Sequence, residues 1–189
     1  MDRIPRNQTH NKTRPDSGET FYDLIETSLG YIGVQASAKG LLQVTVPRTT
    51  SVEALTDLIQ KEKRHPKHKV GYFKDLHQRL ENYFKGDNPS FDDHLDLEET
   101  PPFFQAAWMA ARRIPRGEVR SYAWIATMSG RPAAIRAAGQ AMARNPIAIL
   151  IPCHRVISSA GGLHGYGGGL DMKALFLALE GWTPPTTRY

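Results

Sequence analysis

Apolar and polar positions along the chain fall into two periods. Tyr31 to Ser37 and Leu41 to Val46 are β-prone runs around Ala38-Lys39-Gly40, and they predict a hairpin. Ser51 to Glu62 carries Val52, Leu55, Leu58 and Ile59 at helical spacing, with Ser51 as the expected N-cap. Lys61 to Lys69 is a basic cluster that reads as a solvated loop. Tyr72 to Phe84 is a second amphipathic helix with Phe73, Leu76, Leu80, Tyr83 and Phe84 on one side, ended by Gly86. Phe103 to Ile114 predicts a helix with Phe104, Ala107, Trp108 and Ala111 inward, broken by Pro115-Arg116-Gly117. Ser121 caps a short helix over Tyr122 to Met128. Ser129-Gly130-Arg131-Pro132 turns the chain into a helix over Ala133 to Ala143, and a last helix runs from Met172 to Leu179. Helix, glycine-containing turn, helix is the helix-turn-helix pattern, and a plain αα-hairpin has the same signature. The expected class is α+β: a small N-terminal α/β domain followed by a mostly helical C-terminal one.

Composition sharpens the boundary between them. Hydrophobic residues make up 40% of 189 positions and charged residues 23%, enough for a packed core. Residues 87–100 are acidic and turn-rich, and the balance of charge changes there. Residues 1–100 carry 14 Lys/Arg against 16 Asp/Glu, whereas residues 101–189 carry 10 against 3. Nine of those ten bases are arginine, which grips phosphate bidentately, so a polyanion such as nucleic acid is the first partner to consider. The division expected is a polar, flexible tail over residues 1–18, one domain over 19–98 and a second over 99–189. No stretch approaches a membrane span, and the N-terminus lacks the apolar core of a secretory signal. One cysteine excludes an internal disulfide and a multi-thiolate zinc site. It points to a reducing compartment, hence the cytoplasm.

That cysteine stands in an unusual setting. The apolar run Ile147 to Ile151 leads into Pro152-Cys153-His154-Arg155-Val156. A cysteine beside an apolar segment is most often a small core residue, but two adjacent cations favour the nucleophilic thiolate. Gly161 to Gly169 holds six glycines with Tyr166 among them, a segment whose backbone can approach a ligand closely. Glu180 offers a carboxylate that could orient a histidine. In the helix over 133–143, Arg136 stands among small residues with no acidic residue three or four positions away.

Ile151-Pro152-Cys153-His154-Arg155-Val156 resembles the acceptor motif of the O6-alkylguanine-DNA alkyltransferases, also called methylated-DNA–protein-cysteine methyltransferases. The likeness continues in register over about residues 101–181, through Gly117-Glu118-Val119, Ser121-Tyr122, Arg136, Asn145-Pro146, Gly165-Tyr166-Gly167-Gly168-Gly169 and Glu180-Gly181. Upstream it is looser, resting on the hairpin and on Tyr83-Phe84-Lys85-Gly86.

The resemblance implies a ribonuclease-H-like N-terminal domain, a winged-helix-like C-terminal domain and a stand-alone protein of bacterial type. It implies transfer of an alkyl group from O6 of guanine, and by extension O4 of thymine, to Cys153 in one irreversible turnover. His154 would draw off the thiol proton through a water, Glu180 would orient His154, and Asn145 would act as a hinge under the site. Tyr122, the backbone of Val156, Tyr166 and the backbone of Gly167 would hold the flipped base. Arg136 would fill the gap in the stack, with Ala134, Ala137, Gly139 and Ser159 along the DNA surface. The implied partner is double-stranded DNA met through the minor groove, with no metal, no cofactor and no obligate protein partner. A DNA-binding protein without chemistry, either alkyltransferase-like or a winged-helix regulator, is the alternative.

Overall fold

The computed structural model describes residues 18–60, 65–163 and 165–183. The expected tail therefore lies almost wholly outside the described residues. The N-terminal region is built on β1 (Thr20–Thr27) and β2 (Gly30–Ser37), an antiparallel ladder paired from Thr20–Ser37 to Thr27–Gly30. The hydrophobic pattern does not predict β1, and Asp23 is the reason. It occupies an inward position between Phe21 and Ile25, where it accepts from the Gly71 N–H at 2.7 Å. A buried acid satisfied from afar breaks the apolar alternation that marks a strand.

β3 (Leu41–Val44) extends the hairpin as expected, and β4 (Lys67–His68) lies parallel to β1 on the far side, giving the order β3-β2-β1-β4. The predicted loop over Lys61 to Lys69 is thus part strand, and residues 61–64 lie outside the described set. Its pairing is with Phe21 and Tyr22, a partner that no local signal at Lys67 encodes.

α1 (Ser51–Ile59) is capped by Thr50 rather than Ser51. Both residue types cap well, and Glu53 decides between them. Thr50 Oγ1 accepts from the Glu53 N–H, while the Glu53 carboxylate accepts from the Thr50 N–H at 3.1 Å, a reciprocal capping box. Ala54 and Leu58 bury against the sheet, whereas Val52 and Ile59 stay exposed, so the helix is rotated from the expected stripe. Gly33 allows this packing, because a Cβ there would stand 2.6 Å from the Leu58 side chain.

α2 (Lys74–Phe84) starts two residues later than predicted, yet Leu76, Leu80, Tyr83 and Phe84 bury with Phe73 as expected. The C-terminal region holds α3 (Pro102–Arg112), α4 (Tyr122–Met128), α5 (Ile135–Ala143) and α6 (Leu170–Leu179). α5 begins at Ile135 instead of Ala133, because Ala134 still belongs to the preceding turn and donates to Arg131 O. β5 (Arg120–Ser121) pairs in parallel with β6 (Val156–Ile157) beside these helices. Trp108, fully buried, reaches from α3 to donate its indole N–H to Ala141 O of α5 at 2.8 Å. Removing a ring of that size from water contributes about 2–3 kcal/mol.

The two regions share one continuous core. The outer edge of β3 is joined to the segment before the cysteine: Val44 N donates to Pro146 O at 2.9 Å, and Ala148 N to Val44 O at 2.8 Å. Among the described residues no helix is long and apolar enough to cross a membrane.

Candidate active site

The cysteine is delivered by a constrained stretch of backbone. Asn145 opens it, its Oδ1 accepting from Ile147 N at 3.0 Å. Ile147 to Ile151 is buried throughout, and Ile149 is held at φ 70, a left-handed conformation that a β-branched residue avoids. The chain then turns through a short 3-10 helix, Cys153–Arg155, into β6. Asn145 Nδ2 donates to Ile151 O at 2.8 Å and to Cys153 Sγ at 3.0 Å, so one amide holds both the turn and the sulfur.

His154 is fully buried beside Cys153, its ring edge against Phe176. Its Nε2 lies 3.0 Å from Glu180 Oε1. Glu180 is at the C-terminal end of α6, where Gly181 at φ 83 lets the chain leave the helix. Burial pushes the Glu180 carboxyl up, but hydrogen bonds from His154 and Arg155 outweigh it and hold the group far below the usual carboxylate range. Arg155 contributes two of these, Nε to Oε2 and Nη2 to Oε1, both at 2.8 Å. An ionised carboxylate only accepts, so Nε2 carries the ring proton. Burial keeps the ring neutral, pushing its pKa down. Nδ1 then has a free lone pair and, among the described residues, no partner. The arrangement is a buried base aligned by a buried anion.

The electrostatics of the thiol differ from the expectation of two adjacent cations. Arg155 turns away to Glu180 and to Ile114 O, and His154 is neutral. Burial pushes the Cys153 thiol up, while Asn145 and Lys173 work against that. Lys173, on α6, is a residue that sequence reasoning missed. It is fully buried, donates from Nζ to Val156 O at 2.7 Å, and is held down to about 8 by burial. A signal existed: Lys173, Phe176, Leu177 and Glu180 share one helical face, and Lys173 is the one lysine among the bases of residues 101–189. Tyr83 of α2, in sequence one of an apolar helical stripe, also belongs here, because its Oη donates to Glu180 Oε1 at 2.8 Å.

The other expected site residues fall into two groups. Tyr122, at the start of α4, is half-buried and lies near Lys173, whose Nζ is 5.9 Å from its ring centroid; burial and Cys153 push its phenol up. Tyr166 packs edge-on against Phe176. Its hydroxyl is buried and, among the described residues, has no partner of standard geometry, and burial and the nearby Cys153 sulfur push it well up. Val156 is buried and Gly167 exposed. A cleft of about 600 Å³ passes Val46, Arg144, Asn145 and Gly167. The second group lies outside this centre. Arg136 is exposed on α5, Ala134, Ala137 and Gly139 are partly exposed along it, and Ser159 is exposed on the turn after β6. Among the described residues no group of His, Cys, Asp and Glu could hold a metal ion.

Comparison with known proteins gives a consistent result. Residues 20–97 match the family model described as 6-O-methylguanine DNA methyltransferase, ribonuclease-like domain. Residues 102–182 match the one described as 6-O-methylguanine DNA methyltransferase, DNA binding domain. A methylated-DNA–protein-cysteine methyltransferase of Methanosarcina barkeri is 42% identical over 85% of this chain and 96% of its own. One from Mycobacterium tuberculosis is 44% identical over 69% of this chain and 79% of its own. The crystal structure of the Mycobacterium tuberculosis OGT in complex with DNA superposes with a TM-score of 0.72 at 36% identity, covering 87% of this chain and 95% of that one. With both halves of the chain matched and the acceptor cysteine in place, this protein belongs to the 6-O-methylguanine DNA methyltransferase family.

Proposed function

We propose that this protein repairs double-stranded DNA in the cytoplasm by moving a methyl group from O6 of guanine to its own Cys153. The observation that carries the reading is the buried Cys153 sulfur held by Asn145 beside a neutral His154 aligned by an ionised Glu180. Attack on a saturated carbon needs a soft, strong nucleophile. His154 Nδ1, which has no partner among the described residues, takes the thiol proton through a water. The sulfur forms a bond to the methyl carbon as the carbon–O6 bond breaks, and the guanine leaves with the bonding electrons. Tyr122 donates to N3 of the leaving base and offsets the charge that develops there. The charge on sulfur exists only during transfer, so Lys173 and the Asn145 N–H act where it appears.

A guanine inside a duplex cannot reach a buried sulfur and must be flipped out. Arg136, exposed and without an acidic neighbour on its helix, fills the gap. The small residues Ala134, Ala137 and Gly139 let α5 lie in the minor groove, with Ser159 at its border. Tyr166, the backbone of Gly167 and the carbonyl of Val156 enclose the base, and Asn145 joins the helix to the sulfur. The division into domains at residues 98/99 belongs to this reading and is supported by the change in charge there.

The product is a thioether, which water does not cleave, and the chain has no second thiol to accept the group. One turnover per chain follows. The test is a duplex carrying one O6-methylguanine labelled in its methyl group. After mixing, mass spectrometry should find one added methyl group per chain, on the peptide containing Cys153. Label remaining on the DNA, or on another residue, would overturn the reading.

A further inference from the structure

Tyr83 is packed like a core residue, with its ring against Phe84, Phe91 and Phe176. A buried phenol needs a hydrogen-bond partner, and any backbone carbonyl would serve. Its actual partner is the carboxylate oxygen that meets His154. Glu180 Oε1 receives three donors, Tyr83 Oη at 2.8 Å, Arg155 Nη2 at 2.8 Å and His154 Nε2 at 3.0 Å, whereas Oε2 receives Arg155 Nε. The link is long-range, from α2 in the N-terminal region to the end of α6, 97 residues on. Arg116 reinforces it. Its guanidinium lies 5.5 Å from the Tyr83 ring and donates to Gly86 O after α2 and to Leu179 O before Glu180.

We infer that Tyr83 is a positioning residue for alkyl transfer, and that through it the N-terminal region sets the orientation and charge of the carboxylate on which His154 depends. This rests on the reading of Cys153, His154 and Glu180 given above. Three donors on one oxygen compete for its electron density. Taking Tyr83 away leaves more of that density to His154 and raises the proton affinity of the ring. The charged and titratable groups around His154 are Glu180 and Lys173 from α6, Arg155 and Cys153 from its own turn, Tyr166 from the glycine-rich segment, and Tyr83 from α2 with Arg116 behind it. Of these Tyr83 donates to Glu180 and can lose its polar group with no change of net charge and almost none of shape.

The experiment follows the rate of methyl transfer from a duplex containing O6-methylguanine as a function of pH, with DNA-free alkylation of Cys153 by iodoacetamide as a second readout. Tyr83→Phe should slow transfer about tenfold at neutral pH, the order expected of one hydrogen bond to a charged group. It should also move the acid limb of both profiles to higher pH. Site-specific replacement of Tyr83 by 3-fluorotyrosine, a stronger donor that keeps the ring, should move the limb to lower pH. Phe91→Leu removes packing from the same ring, and should lower Tm while leaving the limb in place. In a Glu180→Gln background, Tyr83→Phe should have no further effect. Normal rate and an unmoved limb in Tyr83→Phe, or an undiminished effect in the Glu180→Gln background, would overturn the inference. An inactive wild-type protein would instead overturn the functional reading on which it rests.

Discussion

The reaction centre and the exposed face of α5 are built by opposite means. Around Cys153 and His154 most polar atoms are committed: Asn145 to the sulfur, Glu180 to three side chains, Lys173 to the Val156 carbonyl. The face of α5 is defined by what it leaves uncommitted. Arg136 projects into solvent, and a Cβ added at Gly139 would meet nothing within 4 Å. The first region is organised before any ligand arrives, so that charge appearing on sulfur meets groups already in place. The second region leaves its contacts to the ligand. Changes in the centre should therefore cost chemistry and stability together, whereas changes on the face should separate them.

The sharpest form of this contrast is Cys153→Ala. Transfer should fall to nothing while binding to duplex DNA stays within about twofold of wild type, since the sulfur is buried away from the surface. Label on protein in this variant would remove the distinction between the regions. Glu180→Gln comes next. It leaves Arg155 and His154 facing a neutral amide in a buried site, a loss of about 3–5 kcal/mol on thermal or denaturant unfolding. Transfer should slow about a hundredfold, the scale of a misaligned base.

The same variant carries a pH signature. Glu180 is held below, and His154 also below, their ordinary values. For both groups the unfolded chain binds more protons than the folded one in acid. Wild-type stability is thus complete above the ordinary histidine value. It is lost as pH falls, first through the His154 contribution and then through that of Glu180. Glu180→Gln removes the second part, so its stability should depend less on pH below about 4.5, the ordinary carboxyl value. An equally steep acid profile would show that the burden lies elsewhere.

How far the sequence announces each region follows from the same difference. Cys153, His154 and Glu180 stand out in the sequence by residue type and setting, and Asn145 through the family resemblance alone. The arginine among alanines on α5 was legible because its composition has no internal explanation. Lys173 and Tyr83 are silent in the sequence, since a lysine within an apolar helix and a tyrosine within an apolar stripe look like packing until a partner is placed opposite. In the sequence Arg155 looks like a cation for the thiol, because it is a neighbour along the chain. In fact a 3-10 turn sends its guanidinium to Glu180. The strand β1 escapes for a similar reason, as Asp23 is explained by partners far along the chain, Gly71 and His68.

Arg136→Ala tests the exposed face at the base stack. Stability should stay within about 0.5 kcal/mol, as for any exposed side chain without partners. Transfer from duplex should slow about tenfold, and transfer from single-stranded DNA should hardly change, because only the duplex requires a gap to be filled. Equal losses on both substrates would make Arg136 a phosphate contact instead of a wedge.

The smallest effect is the most discriminating, because its two parts have opposite sign. At Gly139 a methyl group meets no neighbour in the free protein, and the helical backbone accepts alanine. Gly139→Ala should therefore stabilise the fold by about 0.5–1 kcal/mol, chiefly by restricting the unfolded chain. Tm should rise by a few degrees. If α5 lies in a narrow groove with Gly139 toward the floor, the same methyl group keeps the helix from its closest approach. Affinity for duplex should then fall by about 1 kcal/mol, roughly fivefold, across all sequences. Higher Tm with unchanged DNA affinity would mean that Gly139 faces away from the groove. Lower Tm would mean that this part of α5 packs inside the fold and that the contrast between an organised centre and an uncommitted face is drawn in the wrong place.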